Sequence, residues 1–110
     1  MAWTSLCELS ELEDGLGKYV EVEGFQLAVY LHAGRVYAMD NHCPHAGGSM
    51  AGGHIVEGCA VCPWHGWAFR LDNGELREYA AVAIPVYETR LLECEGYPIV
   101  VQADLNDGAL

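Results

Sequence analysis

Four residues near the middle of the chain have the types and the spacing of metal ligands. One residue separates Cys43 from His45, two separate Cys62 from His65, and 16 residues lie between the two pairs. The surrounding segment, 41–68, contains four of the five histidines and three of the five cysteines but only one formally charged residue. Thiolates and imidazoles concentrated in a glycine-rich segment of low charge indicate a metal centre held by loops.

The order of the four ligands favours one kind of metal centre. Each short motif supplies one thiolate and one imidazole, whereas a Cys₂His₂ zinc finger pairs like with like, as C-x₂₋₄-C and then H-x₃₋₅-H. Mixed pairs suit a centre of two iron ions, because both loops can reach across it and place the cysteines on one iron and the histidines on the other. A mononuclear zinc or iron site is the alternative.

The segment resembles the cluster-binding segment of Rieske [2Fe–2S] proteins. The pattern C-x-H…C-x-x-H is matched at every ligand position, a proline follows each cysteine, and His-Gly-Trp stands at 65–67. The resemblance implies one Rieske-type [2Fe–2S] cluster bound by Cys43, His45, Cys62 and His65. It also implies that the iron with two histidines lies nearer the surface, so that electrons leave through His45 and His65.

Four further positions indicate which type of Rieske cluster to expect. The high-potential Rieske proteins of cytochrome complexes join their two loops by a disulfide, and the matching positions here are Gly48 and Trp64. Those proteins also place a serine and a tyrosine hydroxyl near the cluster, where Trp67 and Phe69 stand in this chain. The resemblance therefore implies the low-potential, ferredoxin type, near the lower end of a span from about −150 to +300 mV.

Short strands must position the two ligand loops. Alternation predicts a half-buried strand at 18–23. Further strands are predicted at 26–32 and 35–40, and the two-residue link Ala33-Gly34 predicts a tight hairpin turn between them. The third of these strands delivers the chain directly into the first ligand loop. Further short strands are predicted at the N-terminus and at 55–56, 59–61, 69–71, 82–92 and 97–102, with a turn at 72–74, and the tail 103–110 is predicted to be frayed.

Eight to ten short strands and almost no helix predict an all-β fold. This agrees with what the Rieske resemblance implies, an antiparallel β-sandwich with a small loop-built cluster-binding subdomain. The expected organisation is a single domain over 1–110, with the subdomain at about 41–68 inserted in the β-sandwich base.

The other cysteines are not expected to form a disulfide framework. Cys7, Cys59 and Cys94 are an odd remainder once the two ligands are set aside, and free thiols fit a reducing compartment. Cys59 and Cys62 form a C-x-x-C motif, which alone would suggest dithiol chemistry or zinc. Because Cys62 is assigned to the cluster, Cys59 is predicted to be a buried strand residue instead.

The remaining histidines and two tryptophans have simpler interpretations. His32, His42 and His54 are predicted not to be ligands, since a four-ligand centre is complete without them. Trp64 and Trp67 flank His65 and are predicted to shield the cluster from water or to meet a partner, with a role as ordinary core aromatics as the alternative.

Size and charge limit the function classes. A chain of 110 residues with 52% hydrophobic and 19% charged residues predicts one globular domain, and neither a signal peptide nor a membrane-spanning run is evident, so the default location is cytoplasmic. The net charge of −11 argues against binding to nucleic acid or to an anionic membrane. It fits docking onto a basic patch of a protein partner, or a generic acidic surface.

The predicted chemistry is one-electron transfer. A [2Fe–2S] centre with four protein ligands has no open position for a substrate, and the sequence offers no nucleophile–base pair or phosphate loop, so the chain is expected not to be an enzyme by itself. The preferred prediction is a soluble carrier passing electrons from a flavoprotein reductase to an oxygenase, such as a ring-hydroxylating dioxygenase. The alternative is a small electron-transfer or regulatory subunit of an NAD(P)H nitrite reductase-like enzyme, and a cluster-based sensor is a third.

Overall fold

The chain folds almost entirely into short β-strands. The computed structural model describes residues 3–43, 49–63 and 66–105. Within these ranges there are twelve strands, two single-turn 3₁₀ helices and no α-helix, and all pairings between strands are antiparallel. The all-β prediction is confirmed, and the strands of the described part outnumber the predicted eight to ten. No helix in this part of the chain is long and apolar enough to cross a membrane.

The strands follow one another with short connections. In chain order they are β1 (Trp3–Glu8), β2 (Gly17–Val22), β3 (Phe25–His32), β4 (Arg35–Asp40), β5 (His54–Val56), β6 (Cys59–Val61), β7 (Ala68–Arg70), β8 (Glu75–Leu76), β9 (Tyr79–Ala83), β10 (Val86–Tyr87), β11 (Thr89–Leu92) and β12 (Val100–Asp104). The 3₁₀ turns lie at Leu9–Glu11 and Met50–Gly52.

The strands form three sheets. The first sheet has the order β1-β12-β11, the second β10-β4-β3-β2 and the third β5-β6-β7-β8-β9. The chain passes from the second sheet to the first through β10 and β11, which are separated by one residue. The third sheet follows the first ligand loop and continues to Ala83.

The second sheet lies between two hydrophobic cores, because β3 is buried on both faces. Leu27 and Val29 join a core that also contains residues of β12, whereas Ala28 and Tyr30 join a core that contains residues of β6, β7 and β8. All four residues are completely buried. Since side chains alternate across a strand, one strand contributes to both cores and links the first and third sheets.

Three hairpins have two-residue turns with the same conformation. Ala33 (φ 52°) and Gly34 (φ 80°) connect β3 to β4, as the sequence predicts. Glu23-Gly24 and Glu57-Gly58 connect β2 to β3 and β5 to β6 in the same way. Positive φ at both central residues defines the turn that matches the twist of antiparallel strands.

The predicted fraying of the tail is wrong for residues 103–105. Ala103 and Asp104 belong to β12, the central strand of the first sheet, and Ala103 and Leu105 are buried in the core. The backbone N–H of Asp104 donates to the carbonyl of Glu88 at 2.9 Å. A strand with partners on both sides has no free edge to fray, and residues 106–110 lie outside the described part of the chain.

Candidate metal centre

Two buried thiols mark the centre of the site. Cys43 follows the end of β4 and Cys62 follows the end of β6, so that each emerges where a strand gives way to a loop. Each is only 1% exposed, and both belong to the same core cluster. Neither forms a disulfide, which is consistent with a role as sulfur ligands.

Asn41 holds together the two ends of the first ligand loop. Its carbonyl accepts a hydrogen bond from the N–H of Met50 at 2.7 Å, and its side-chain Oδ1 accepts one from the N–H of Ala51 at 2.8 Å. Its side-chain amide also exchanges hydrogen bonds with the Ser49 hydroxyl, at 3.0 and 3.2 Å. On the opposite side, the Asn41 N–H donates to the carbonyl of Gln26 in β3 at 2.9 Å. The two ends of the loop that carries Cys43 are therefore held together by one buried residue.

Tyr30 supports the same turn from inside the core. Its ring is fully buried, and its hydroxyl donates to the carbonyl of Met50 at 2.6 Å. Burial raises the pKa of the Tyr30 hydroxyl, and negative charge on the nearby Cys62 thiol raises it further. Tyr30 is therefore a neutral donor that links β3 to the first loop in the neighbourhood of the second cysteine.

Backbone hydrogen bonds close the second ligand loop. The N–H of Cys62 donates to the carbonyl of Trp67 at 2.7 Å, and the N–H of Gly66 donates to the carbonyl of Cys62 at 3.2 Å. Gly66 has a φ of 74°, a conformation that favours glycine. The ring of Trp67 lies 6.5 Å from the ring of Phe69 and packs against the core that contains both thiols. That position fits a side chain that shields the site.

The two loops meet at a pair of glycines. A Cβ on Gly53 would collide with the carbonyl oxygen of Val61 and would lie 3.2 Å from Cδ of Pro63. A Cβ on Gly52 would meet only Cγ of Pro63, at 3.7 Å. The close approach at Gly53 brings the turn after the first loop against the residues on both sides of Cys62.

The structure leaves part of the predicted ligand set untested. His45 and His65 lie outside the described residues, as do Gly48 and Trp64, so their predicted roles stay predictions. Within the described ranges, no group of three or more histidine, cysteine, aspartate or glutamate side chains is arranged to hold a metal ion.

The other histidines and cysteines singled out by the sequence differ in how far they are exposed to solvent. His42 and His54 are exposed and His32 is half-buried at the end of β3. Cys59 is 3% exposed within β6, which confirms its predicted burial. Cys94 is exposed.

Sequence reasoning missed Asn41, Tyr30 and Gly53 as supports of the site. Their partners lie 8 to 20 residues away along the chain, and no local pattern encodes such contacts. The one available signal is the position of Asn41, a polar residue placed where a buried strand ends and the ligand loop begins.

A comparison with known families identifies the class of protein. A model of the Rieske [2Fe–2S] domain matches residues 2–88. The chain belongs to this family, and one Rieske-type [2Fe–2S] cluster is its cofactor.

Similar proteins come from several kinds of redox system. A cholesterol 7-desaturase from Hemicentrotus pulcherrimus is 41% identical over 75 residues, which are 66% of this chain and 16% of that protein. The chain spans 12–17% of the length of the first curated relatives that it matches.

Two solved structures share both the fold and a similar length. A candidate small subunit of an NADH-dependent nitrite reductase from Mycobacterium tuberculosis is 27% identical, with a TM-score of 0.82, and the match covers 94% of this chain and 96% of that one. A chain from the complex of reduced oxygenase and oxidised ferredoxin in carbazole 1,9a-dioxygenase is 28% identical, with a TM-score of 0.72 and coverage of 90% and 91%. These neighbours support protein redox partners for this chain.

The described residues fit an iron–sulfur cluster. Cluster iron is bound by thiolates, and Cys43 and Cys62 provide two sulfurs that form no disulfide and are shielded from water. The core around them is formed by apolar side chains, among them Met50 and Phe69. Burial of this kind limits the access of water to the sulfur ligands.

Proposed function

We propose that this chain transfers single electrons through a Rieske cluster held by Cys43 and Cys62 on one iron and by His45 and His65 on the other. The observation that carries the proposal is the burial of the Cys43 and Cys62 thiols in one core, at the start of two adjoining loops that have the family's ligand spacing. When bound, the cluster supplies reversible one-electron oxidation and reduction. The chain's own residues hold the sulfur ligands and exclude water from them, and by itself it is not an enzyme.

The partners that we propose are a flavoprotein reductase as electron donor and an oxygenase as acceptor. Support comes from the similarity to a chain of nearly the same length in an oxygenase–ferredoxin complex. The net charge of −11, with most of the described carboxylates exposed, fits transient docking onto a basic protein surface and does not fit nucleic acid or an anionic membrane.

A second candidate function is that of a small subunit in an enzyme similar to NAD(P)H nitrite reductase. The match to the nitrite reductase small-subunit structure favours this function, because it extends over nearly the whole of both chains. The two candidates differ in the lifetime of the complex: a carrier dissociates after each electron transfer, whereas a subunit stays bound.

The proposed organisation is a single domain over 1–110 with a cluster-binding subdomain at about 41–68. The proposed location is the cytoplasm, which the absence of disulfides among the five cysteines supports, since a reducing compartment prevents disulfide formation.

Analysis of the protein's iron and acid-labile sulfide, with an EPR spectrum after dithionite reduction, tests the cofactor and its ligands. We expect equal iron and sulfide and a rhombic signal with an average g value below that of the free electron. Cys62→Ser should abolish this signal, whereas Cys94→Ser, which changes an exposed thiol, should retain it. A single zinc or iron without sulfide, or a Cys62→Ser protein with full iron content, would contradict the proposal.

The histidine ligands are tested in the same way with a matched pair. His65→Ala should remove the Rieske signal, and His54→Ala should leave the spectrum and the potential unchanged, because His54 is an exposed residue of β5. Loss of the cluster from the His54 variant would show that the wrong histidine has been assigned.

One electron-transfer experiment and one co-purification experiment separate the candidate functions. Rapid reduction of the isolated protein by a flavoprotein reductase, followed by transfer to an oxygenase, favours the carrier. Stable co-purification with a large flavin- or sirohaem-containing subunit of the same organism favours the second candidate.

A further inference from the structure

The hydrogen bonds that Asn41 makes to Ser49, Met50 and Ala51 form a feature that we call the Asn41 clasp. Together they close the loop 42–48, which contains Cys43 and His45, at its two ends. Asn41 is 7% exposed, so the Asn41 end of these hydrogen bonds is shielded from water, although Ser49 is exposed. Hydrogen bonds of this kind hold a geometry more firmly than exposed ones, because water cannot replace a lost partner.

The Asn41 clasp is joined to the rigid part of the molecule on two sides. The N–H of Asn41 donates to the carbonyl of Gln26 in β3, and the hydroxyl of Tyr30, also in β3, donates to the carbonyl of Met50. Both ends of the ligand loop are therefore fixed to one strand that is buried on both faces.

The side chain of Asn41 has a chemical requirement that few residues meet. It donates from Nδ2 to the Ser49 hydroxyl and accepts at Oδ1 from the N–H of Ala51. An alanine can do neither, and the loop ends would then be held by the backbone bond to Met50. The backbone around Cys43, two residues from the altered position, would then be less firmly held.

We propose that Asn41 is a positioning residue for the cluster, which acts through the loop that carries Cys43 and His45. It fixes the position and the exposure of Cys43, and in this way sets the reduction potential and the rate at which the cluster is lost. Both properties depend on the hydrogen bonding and the solvent access of the ligands. The proposal rests on the ligand set proposed above.

The test uses Asn41→Ala and Ser49→Ala, with Asn73→Ala as the matched control. Asn73 makes the same kind of contact, since its Oδ1 accepts a hydrogen bond from the N–H of Glu75 at 2.9 Å, but it lies in the exposed turn between β7 and β8. For each variant, and for the full chain loaded with its cluster, we would measure the midpoint potential, the EPR line shape and the rate of bleaching by an iron chelator.

We expect Asn41→Ala to lose the cluster about tenfold faster than the wild type, with a shifted midpoint potential and broadened EPR lines. Ser49→Ala should change all three in the same direction by less, about threefold in rate, because Ala51 still donates to Asn41. Asn73→Ala should match the wild type. A residue that served folding alone would not move the potential or the line shape of protein that has folded and loaded.

The outcomes separate this proposal from the proposed function. If the wild type gives a Rieske signal and both clasp variants retain its potential, line shape and bleaching rate, the positioning role is wrong while the electron-transfer proposal stands. A wild type without a Rieske signal overturns both. Should Asn41→Ala fail to fold, Ser49→Ala decides, because Ser49 is exposed and its loss leaves the buried amide in place.

Discussion

At the scale of single residues, the site depends on contacts that are too close for any larger side chain. Gly53 and its neighbour Gly52 both lie where the two ligand loops meet, yet their surroundings differ. Gly53 has no room for a Cβ beside the carbonyl of Val61, whereas Gly52 has room for one. Neither has a positive φ, so the difference between them is one of packing and not of backbone conformation.

This difference predicts opposite results for two adjacent substitutions. Gly53→Ala should lower the free energy of unfolding by about 1–3 kcal/mol and reduce cluster content, because the loops must move apart. Gly52→Ala should leave stability unchanged or raise it by up to about 1 kcal/mol, since alanine restricts the unfolded chain. Urea unfolding and iron analysis of the two variants would check this, and equal effects at both positions would contradict it.

The features of the site that the sequence could predict are those encoded by residues close together in the chain. The four proposed ligands fall in two short motifs, so their types and order favoured a two-iron centre over a mononuclear zinc or iron site, and the resemblance to Rieske proteins named the cluster. Asn41 and Tyr30 contact the loop from positions 8 and 20 residues away from their partners, and only the folded chain shows those contacts.

At the scale of elements, the hairpins were the most predictable part of the fold. Two strand-forming runs joined by the dipeptide Ala33-Gly34 were enough to predict β3 and β4, and β4 was found at the predicted residues. The last strand was harder to predict, because Ala103, Asp104 and Leu105 form a short mixed stretch. Ala103 and Asp104 pair with β1 near the start of the described chain, and Ala103 and Leu105 pack in the core that contains Leu27 and Val29. No local pattern shows either kind of contact.

The turn at Ala33 offers a way to stabilise the protein. Ala33 is exposed and has a φ of 52°, a conformation that asparagine adopts more readily than alanine. Ala33→Asn should therefore raise the free energy of unfolding by about 0.5–1 kcal/mol. Ala81→Asn, at an exposed residue within β9, is the control. It should be neutral or destabilising, since asparagine is unfavourable in β-strands. Thermal or urea unfolding would check this, and a lower unfolding midpoint for Ala33→Asn than for Ala81→Asn would contradict the prediction.

At the scale of the whole molecule, the dominant property is negative charge. The ion pairs of the described part engage Lys18 and Arg77 with neighbouring glutamates, and most of the other exposed carboxylates face solvent. A surface of one sign attracts a basic partner over a distance set by the ionic strength.

Electron transfer to a basic protein should therefore slow down as salt is added. Between about 0.01 M and about 0.15 M ionic strength the Debye length falls from about 30 to about 8 Å, and the second-order rate should fall about tenfold or more. Stopped-flow oxidation of the reduced protein by a basic haem protein would measure this, with a neutral small-molecule oxidant as the control. A rate that is independent of salt with the basic protein would remove charge as the basis of docking.

The central place of β12 in the first sheet has a consequence for synthesis of the protein. The strand β1 is made early but finds its partner only when β12 has left the ribosome. The second and third sheets and both ligand loops, by contrast, lie wholly between these two strands in the chain. The nascent chain can therefore assemble its cluster loops first, and β1 stays unpaired until β12 has been synthesised.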